Sequence, residues 1–110
     1  MMTDAAVDTE NLERLNAAIR AEMAALAAED VAAIEAATAV KLAALRAVHA
    51  DVAAGQLPPR ALLEEARDLN SEAALRARAK MISVEKRLAQ VSSQAGRPPA
   101  LIYGRDGRWA

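Results

Sequence analysis

The sequence predicts an all-α fold, an elongated antiparallel helical hairpin or three-helix bundle with a flexible C-terminal tail. Three observations lead there. Apolar residues recur at spacings of three and four through most of the 110 residues, the period of one helix face. All four glycines and all four prolines fall in two places, Gly55 to Pro59 and beyond Ala95, so the helical pattern is interrupted firmly only there. Alanine supplies 30 residues, while phenylalanine is absent and the aromatics are one Tyr and one Trp. So few bulky side chains bury little surface, and stability has to come from long helices approaching closely through alanine.

The first helix is expected over about residues 9–28. Asp8 or Thr9 is placed to cap it, and Glu10 lies in the first turn, where the helix dipole favours a carboxylate. Leu12, Leu15, Ile19, Met23 and Leu26 form its stripe. Glu29-Asp30 interrupts that stripe, and a second set, Val31, Ile34, Leu42, Leu45, Val48 and Val52, follows over 31–54. Asp30 reads either as a solvated mid-helix residue or as an N-cap; a kink or brief break is the expectation. Gly55 suits the left-handed position past a helix end, and Pro59 the first turn of the next helix. A connection this short makes its neighbours antiparallel. The third helix is expected over about 60–93, with the stripe Leu62, Ala66, Leu69, Ala73, Ala77, Met81, Val84, Leu88 and Val91. Residues 1–96 are thus expected to form a single helical domain and 97–110 a tail. Leu69, Val84, Leu88 and Val91 should face Leu12, Leu15, Ile19, Ile34, Leu45 or Val48. Leu45→Ala should then cost about 2–5 kcal/mol.

Composition excludes much chemistry. With no cysteine there is no disulfide, thiolate site or cysteine nucleophile. One histidine excludes multi-histidine metal sites, and the glycines form no phosphate loop. An enzyme is not expected, nor a metal or cofactor. His49 stands one position off the apolar stripe and reads as a surface residue. Glu64, Glu65, Asp68 and Glu72 read as a solvated acidic face, since a di-metal bundle site needs Glu-x-x-His pairs. Asn70 reads equally as a register-setting or a water-facing side chain. The acidic N-terminus has no secretory pattern and no run is apolar enough to span a membrane, so a cytoplasmic protein is expected.

The net charge of −1 is unevenly spread: residues 1–55 hold 9 acids and 4 bases, residues 56–110 hold 6 acids and 10 bases. A basic C-terminal half can orient toward an acidic partner. Nucleic acid does not fit, because no aromatics interleave the basic residues. The late part of the third helix is the expected partner-binding groove, lined by Met81, Val84, Leu88 and Val91 and rimmed by Arg76, Arg78, Lys80, Lys86 and Arg87. Both aromatics sit in the last eight residues, where Leu101, Ile102, Tyr103, Arg105, Arg108 and Trp109 form a second candidate surface. Tyr, Trp and Arg are the residue types enriched at binding hot spots. The competing reading is a tail packed on its own body.

The run Asp30-Val31-Ala32-Ala33-Ile34-Glu35-Ala36-Ala37-Thr38-Ala39-Val40-Lys41 resembles a segment of the FlgN-type flagellar export chaperones. Leu69-Asn70 resembles a Leu-Asn pair in that family's last long helix, and Tyr103 to Arg108 is similar to its C-terminal motif. Alanines stand at 37 and 44, where the family usually has leucine. The resemblance spans about Leu12 to Arg108. It implies a helical, cytoplasmic chaperone of the flagellar type III export system. Such proteins bind C-terminal segments of the hook-associated proteins FlgK and FlgL and hand them to the export gate protein FlhA. It also implies a docking role on FlhA for the tail, Tyr103 foremost. The chain is expected to be a monomer when free, with a dimer as the alternative. A structural coiled coil or another secretion-linked helical adaptor is the second functional class.

Overall fold

The computed structural model describes residues 8–95. It contains helices α1 (Glu10–Ala28), α2 (Val31–Ala53) and α3 (Arg60–Gln94), and no strand among the described residues. The chain divides into two compact units, Met1–Arg76 and Ala77–Ala110, with the boundary inside α3. The tail surface expected from Leu101, Ile102, Tyr103, Arg105, Arg108 and Trp109 lies outside the described residues.

Helix α1 is started by local chemistry. The Thr9 carbonyl accepts from the Glu13 N–H at 2.9 Å, and Asp8 Oδ1 accepts from the Glu10 N–H at 2.9 Å. Thr9 Oγ1 donates to Glu13 Oε1 at 2.8 Å. Thr9 is the N-cap residue, but its side chain bonds no backbone N–H. At the other end Glu29 adopts φ 55 and ψ 36, in the left-handed region. Its N–H bonds the Leu26 carbonyl and the Asp30 N–H bonds the Ala25 carbonyl. This paired closure, the Schellman motif, satisfies two carbonyls the helix leaves open. Asp30 at once caps α2, its Oδ1 accepting from the Ala33 N–H at 3.1 Å. The brief break expected here is present, with Asp30 as the N-cap, and across it the chain reverses direction.

Two polar links hold α2 antiparallel to α1. Lys41 Nζ donates to both oxygens of Glu22 at 2.9 and 3.0 Å, and Thr38 Oγ1 donates to Glu22 Oε2 at 3.0 Å. Towards the opposite end, Asn11 Nδ2 donates to Asp51 Oδ2 at 3.0 Å.

A left-handed glutamate is an unusual choice, because a Cβ in that conformation crowds the following carbonyl. Its charge also sits at the negative end of the helix dipole. Glu29→Gly should raise stability by about 0.5–1 kcal/mol, less whatever part of Glu29's further interaction the substitution removes. A fall in the urea midpoint of the variant would contradict this.

The second turn repeats the closure with glycine. Gly55 has φ 91, its N–H bonds the Val52 carbonyl at 3.0 Å, and the Gln56 N–H bonds the Asp51 carbonyl at 2.9 Å. Pro59 lies one residue ahead of α3 rather than within its first turn. Its carbonyl opens the helical ladder by accepting from Leu62 and Leu63 at 3.1 and 3.2 Å.

Leu12, Leu15, Ile19 and Met23 of α1 cluster with Ala44 and Val48 of α2 and Ala73 of α3. Leu62, Ala66 and Leu69, on the same face of α3 as Ala73, pack against this cluster. The first part of α3 thus doubles back along the hairpin, and Arg20 of α1 pairs with Glu65. The inward face of α2 matches the expected one at Val48 and, in part, at Ile34, but not at Leu45. Ala37, Ala44 and Val48 are buried, whereas Leu45 is 37% exposed, Leu42 44% and Val52 43%; Ile34 is half-buried. Methyl-sized side chains let the helices approach closely, which leaves leucines one position away on the flank. Leu69 meets the core as expected. Leu88 and Val91 do not serve as core residues, at 47% and 61% exposure.

Candidate functional site

Within the second unit, residues 77–94 continue as helix, and none of them is buried. Alanine, lysine, arginine, glutamate and glutamine sustain it by propensity. Met81, Val84, Leu88 and Val91 follow at spacings of three, four and three, which keeps them within about 80° of arc on one side. Val84 is half-buried, while Met81, Leu88 and Val91 stand open to solvent. Ile82, which the sequence reading passed over, is equally exposed at 45%. It lies about 140° from the centre of the stripe, beyond Arg78, so it belongs to the opposite side of the helix and not to the stripe. No three- or four-residue pattern flags it, so only its residue type was available as a signal.

The five expected rim residues do not share one arrangement. Lys80 and Arg87 flank the stripe on one side and Arg78 on the other. Lys86, two residues before Leu88, is about 180° from the stripe centre and points to the far side of the helix. Lys80 is half-buried, and Lys80 and Arg87 each hold an interaction of their own. Arg76 belongs to the first unit and is paired with Glu72. The described part of the second unit carries four basic residues and one acid, Glu85. Its field therefore favours an acidic ligand.

The remaining candidates resolve into ordinary surface. Glu64, Glu65, Asp68 and Glu72 are ion-paired with Arg60, Arg20, Arg67 and Arg76. Among the described residues no group of three or more His, Cys, Asp or Glu could hold a metal ion. His49 is exposed, and Asn70 faces water rather than a neighbouring helix. The polar residue that does enter the core is Asn16 of α1, 2% exposed, whose Oδ1 has no hydrogen-bond partner. It sits four residues after Leu12 and three before Ile19, a position from which its burial was legible.

Among the described residues no helix is long and apolar enough to cross a membrane. No protein-family model, curated protein or solved structure matches the chain.

Proposed function

We propose that this protein is a cytoplasmic export chaperone of the flagellar type III secretion system, without enzymatic activity. It binds the C-terminal segments of hook-associated proteins of the FlgK and FlgL type and delivers them to the export gate protein FlhA. The observation that carries the reading is the open apolar stripe of Met81, Val84, Leu88 and Val91 on a basic helix. Anchors at i, i+3, i+7 and i+10 match the way an amphipathic helix is read by an apolar surface. Covering such a stripe keeps a client's own apolar face from premature assembly. Arg78, Lys80 and Arg87 beside it speed the encounter with an acidic segment more than they tighten the complex. The resemblance of residues 30–41, 69–70 and 103–108 supplies the names of the clients and the gate.

Leu88 is the central test. Leu88→Asp places a charge in the middle of the stripe, and burying it unpaired against a client helix is prohibitive. Calorimetric titration with the C-terminal segment of a hook-associated protein should show binding to the wild type and none to Leu88→Asp. The far-ultraviolet helix signal of the variant should match the wild type, because Leu88 is exposed. Undiminished binding by a folded Leu88→Asp variant would place the client elsewhere.

A further inference from the structure

Helix α2 is apolar on nearly every side, a composition that ordinarily belongs to a helix covered all round. Its inward face is taken by Ala37, Ala44 and Val48, and its polar residues Thr38, Lys41 and Asp51 are bonded to α1. Opposite lie Ala32, Glu35, Ala36, Ala39, Leu42, Ala43, Arg46, His49, Ala50 and Ala53, all exposed. Val31, Leu45 and Val52 form an exposed apolar flank at 67%, 37% and 43%. Glu35, Arg46 and His49 make no ion pair or side-chain hydrogen bond among the described residues. Glu35 and Arg46 are eleven residues apart, about 16 Å along the helix, and cannot pair with each other within one chain.

We propose that two copies of this chain pair antiparallel through the outward face of α2, in the register that sets Glu35 of each copy against Arg46 of the other. Ala32, Ala39, Arg46 and Ala53 recur every seven residues, as do Glu35, Leu42 and His49. Together they form the two seam positions of a coiled coil. In an antiparallel pair each residue of the first set meets one of the second. The register that joins Glu35 to Arg46 also sets Leu42 against Ala39 and His49 against Ala32. Every large side chain then faces an alanine, and every charge faces its opposite.

The flanks agree. Val31 meets Val52 on one side, and Ala36 meets Ala43 on the other, where methyl groups permit close approach. A shift by one heptad sets Leu42 against Arg46 and Glu35 against Ala53. A parallel pairing opposes Glu35 to Glu35 and Arg46 to Arg46. The contact is isologous, so it closes at two copies and does not propagate. This dimer is the alternative that the sequence left beside a free monomer, and it is independent of the client reading, which concerns the second unit.

Sedimentation equilibrium on the 110-residue chain and two charge reversals tests the proposal. The wild type should reach the mass of a dimer as concentration rises. Glu35→Arg and Arg46→Glu should each be monomeric at the same concentration with unchanged helicity, because each opposes like charges twice. An equimolar mixture of the two variants restores both ion pairs and should return to the dimer mass. A wild type that stays monomeric at its highest soluble concentration, a single reversal that still dimerises, or a mixture that stays monomeric would each overturn it.

Discussion

Ile19→Ala should destabilise the protein by about 2–5 kcal/mol. Ile19 is 2% exposed and is the largest fully buried side chain among the described residues. It sits within the cluster that joins Leu12, Leu15 and Met23 to Ala44, Val48 and Ala73. Truncation removes its transfer free energy and leaves a cavity that neighbouring alanines are too short to refill. Domains are stable by only about 5–15 kcal/mol, so much of the cooperative structure is at stake. Urea unfolding followed by circular dichroism should show a lower midpoint with an unchanged slope. Leu45→Ala is the control. That side chain keeps 37% of its surface in water, so its loss should fall clearly below the cost at Ile19. Equal costs would mean that Leu45, not the alanine seam, carries the α2 side of the core.

Asn16→Leu should act in the opposite direction, raising stability by about 1–3 kcal/mol. The Asn16 carbonyl oxygen is buried without a donor, so the folded state carries the cost of stripping it of water with nothing in return. Leucine has the same branching and the same number of heavy atoms, and it is the better helix former. The gain should appear as a higher urea midpoint. A destabilised variant would mean that the added bulk overpacks the seam. Buried asparagines in helix interfaces are known to fix register at the expense of stability. Asn16→Leu should therefore also loosen the alignment of α1 on α2, read as broadened or multiplied side-chain resonances.

The turns were legible because their chemistry is local. Asp30 followed three residues later by an available N–H, and Gly55 ahead of two prolines, specify their conformations within a handful of residues. Helices α2 and α3 accordingly begin at Val31 and Arg60. Which side of α2 turns inward was legible at Val48 and in part at Ile34 but not at Leu45, because α2 is apolar almost all round and periodicity offers no contrast. The choice is made by partners far away in sequence, Glu22 for Lys41 and Asn11 for Asp51, and by the shortness of Ala37 and Ala44. Leucine-based reasoning picked the neighbouring flank for the same reason. At the candidate site the stripe of Met81, Val84, Leu88 and Val91 was read from its spacing alone. The rim was over-read, since a count of basic residues ignores that Lys86 falls on the other side of the helix.

The two-residue reversal at Glu29-Asp30 also bears on how the chain reaches this state. It places α1 and α2 in contact through pairs that begin close in sequence and widen from Glu22–Lys41 to Asn11–Asp51. Loop closure is then nearly free at the first step, and each further turn of helix adds contacts to a loop already closed. Topologies of such low contact order fold on the order of microseconds to milliseconds. On the ribosome the α1–α2 hairpin emerges ahead of residues 77–95, so the segment proposed to hold clients is the later of the two to appear.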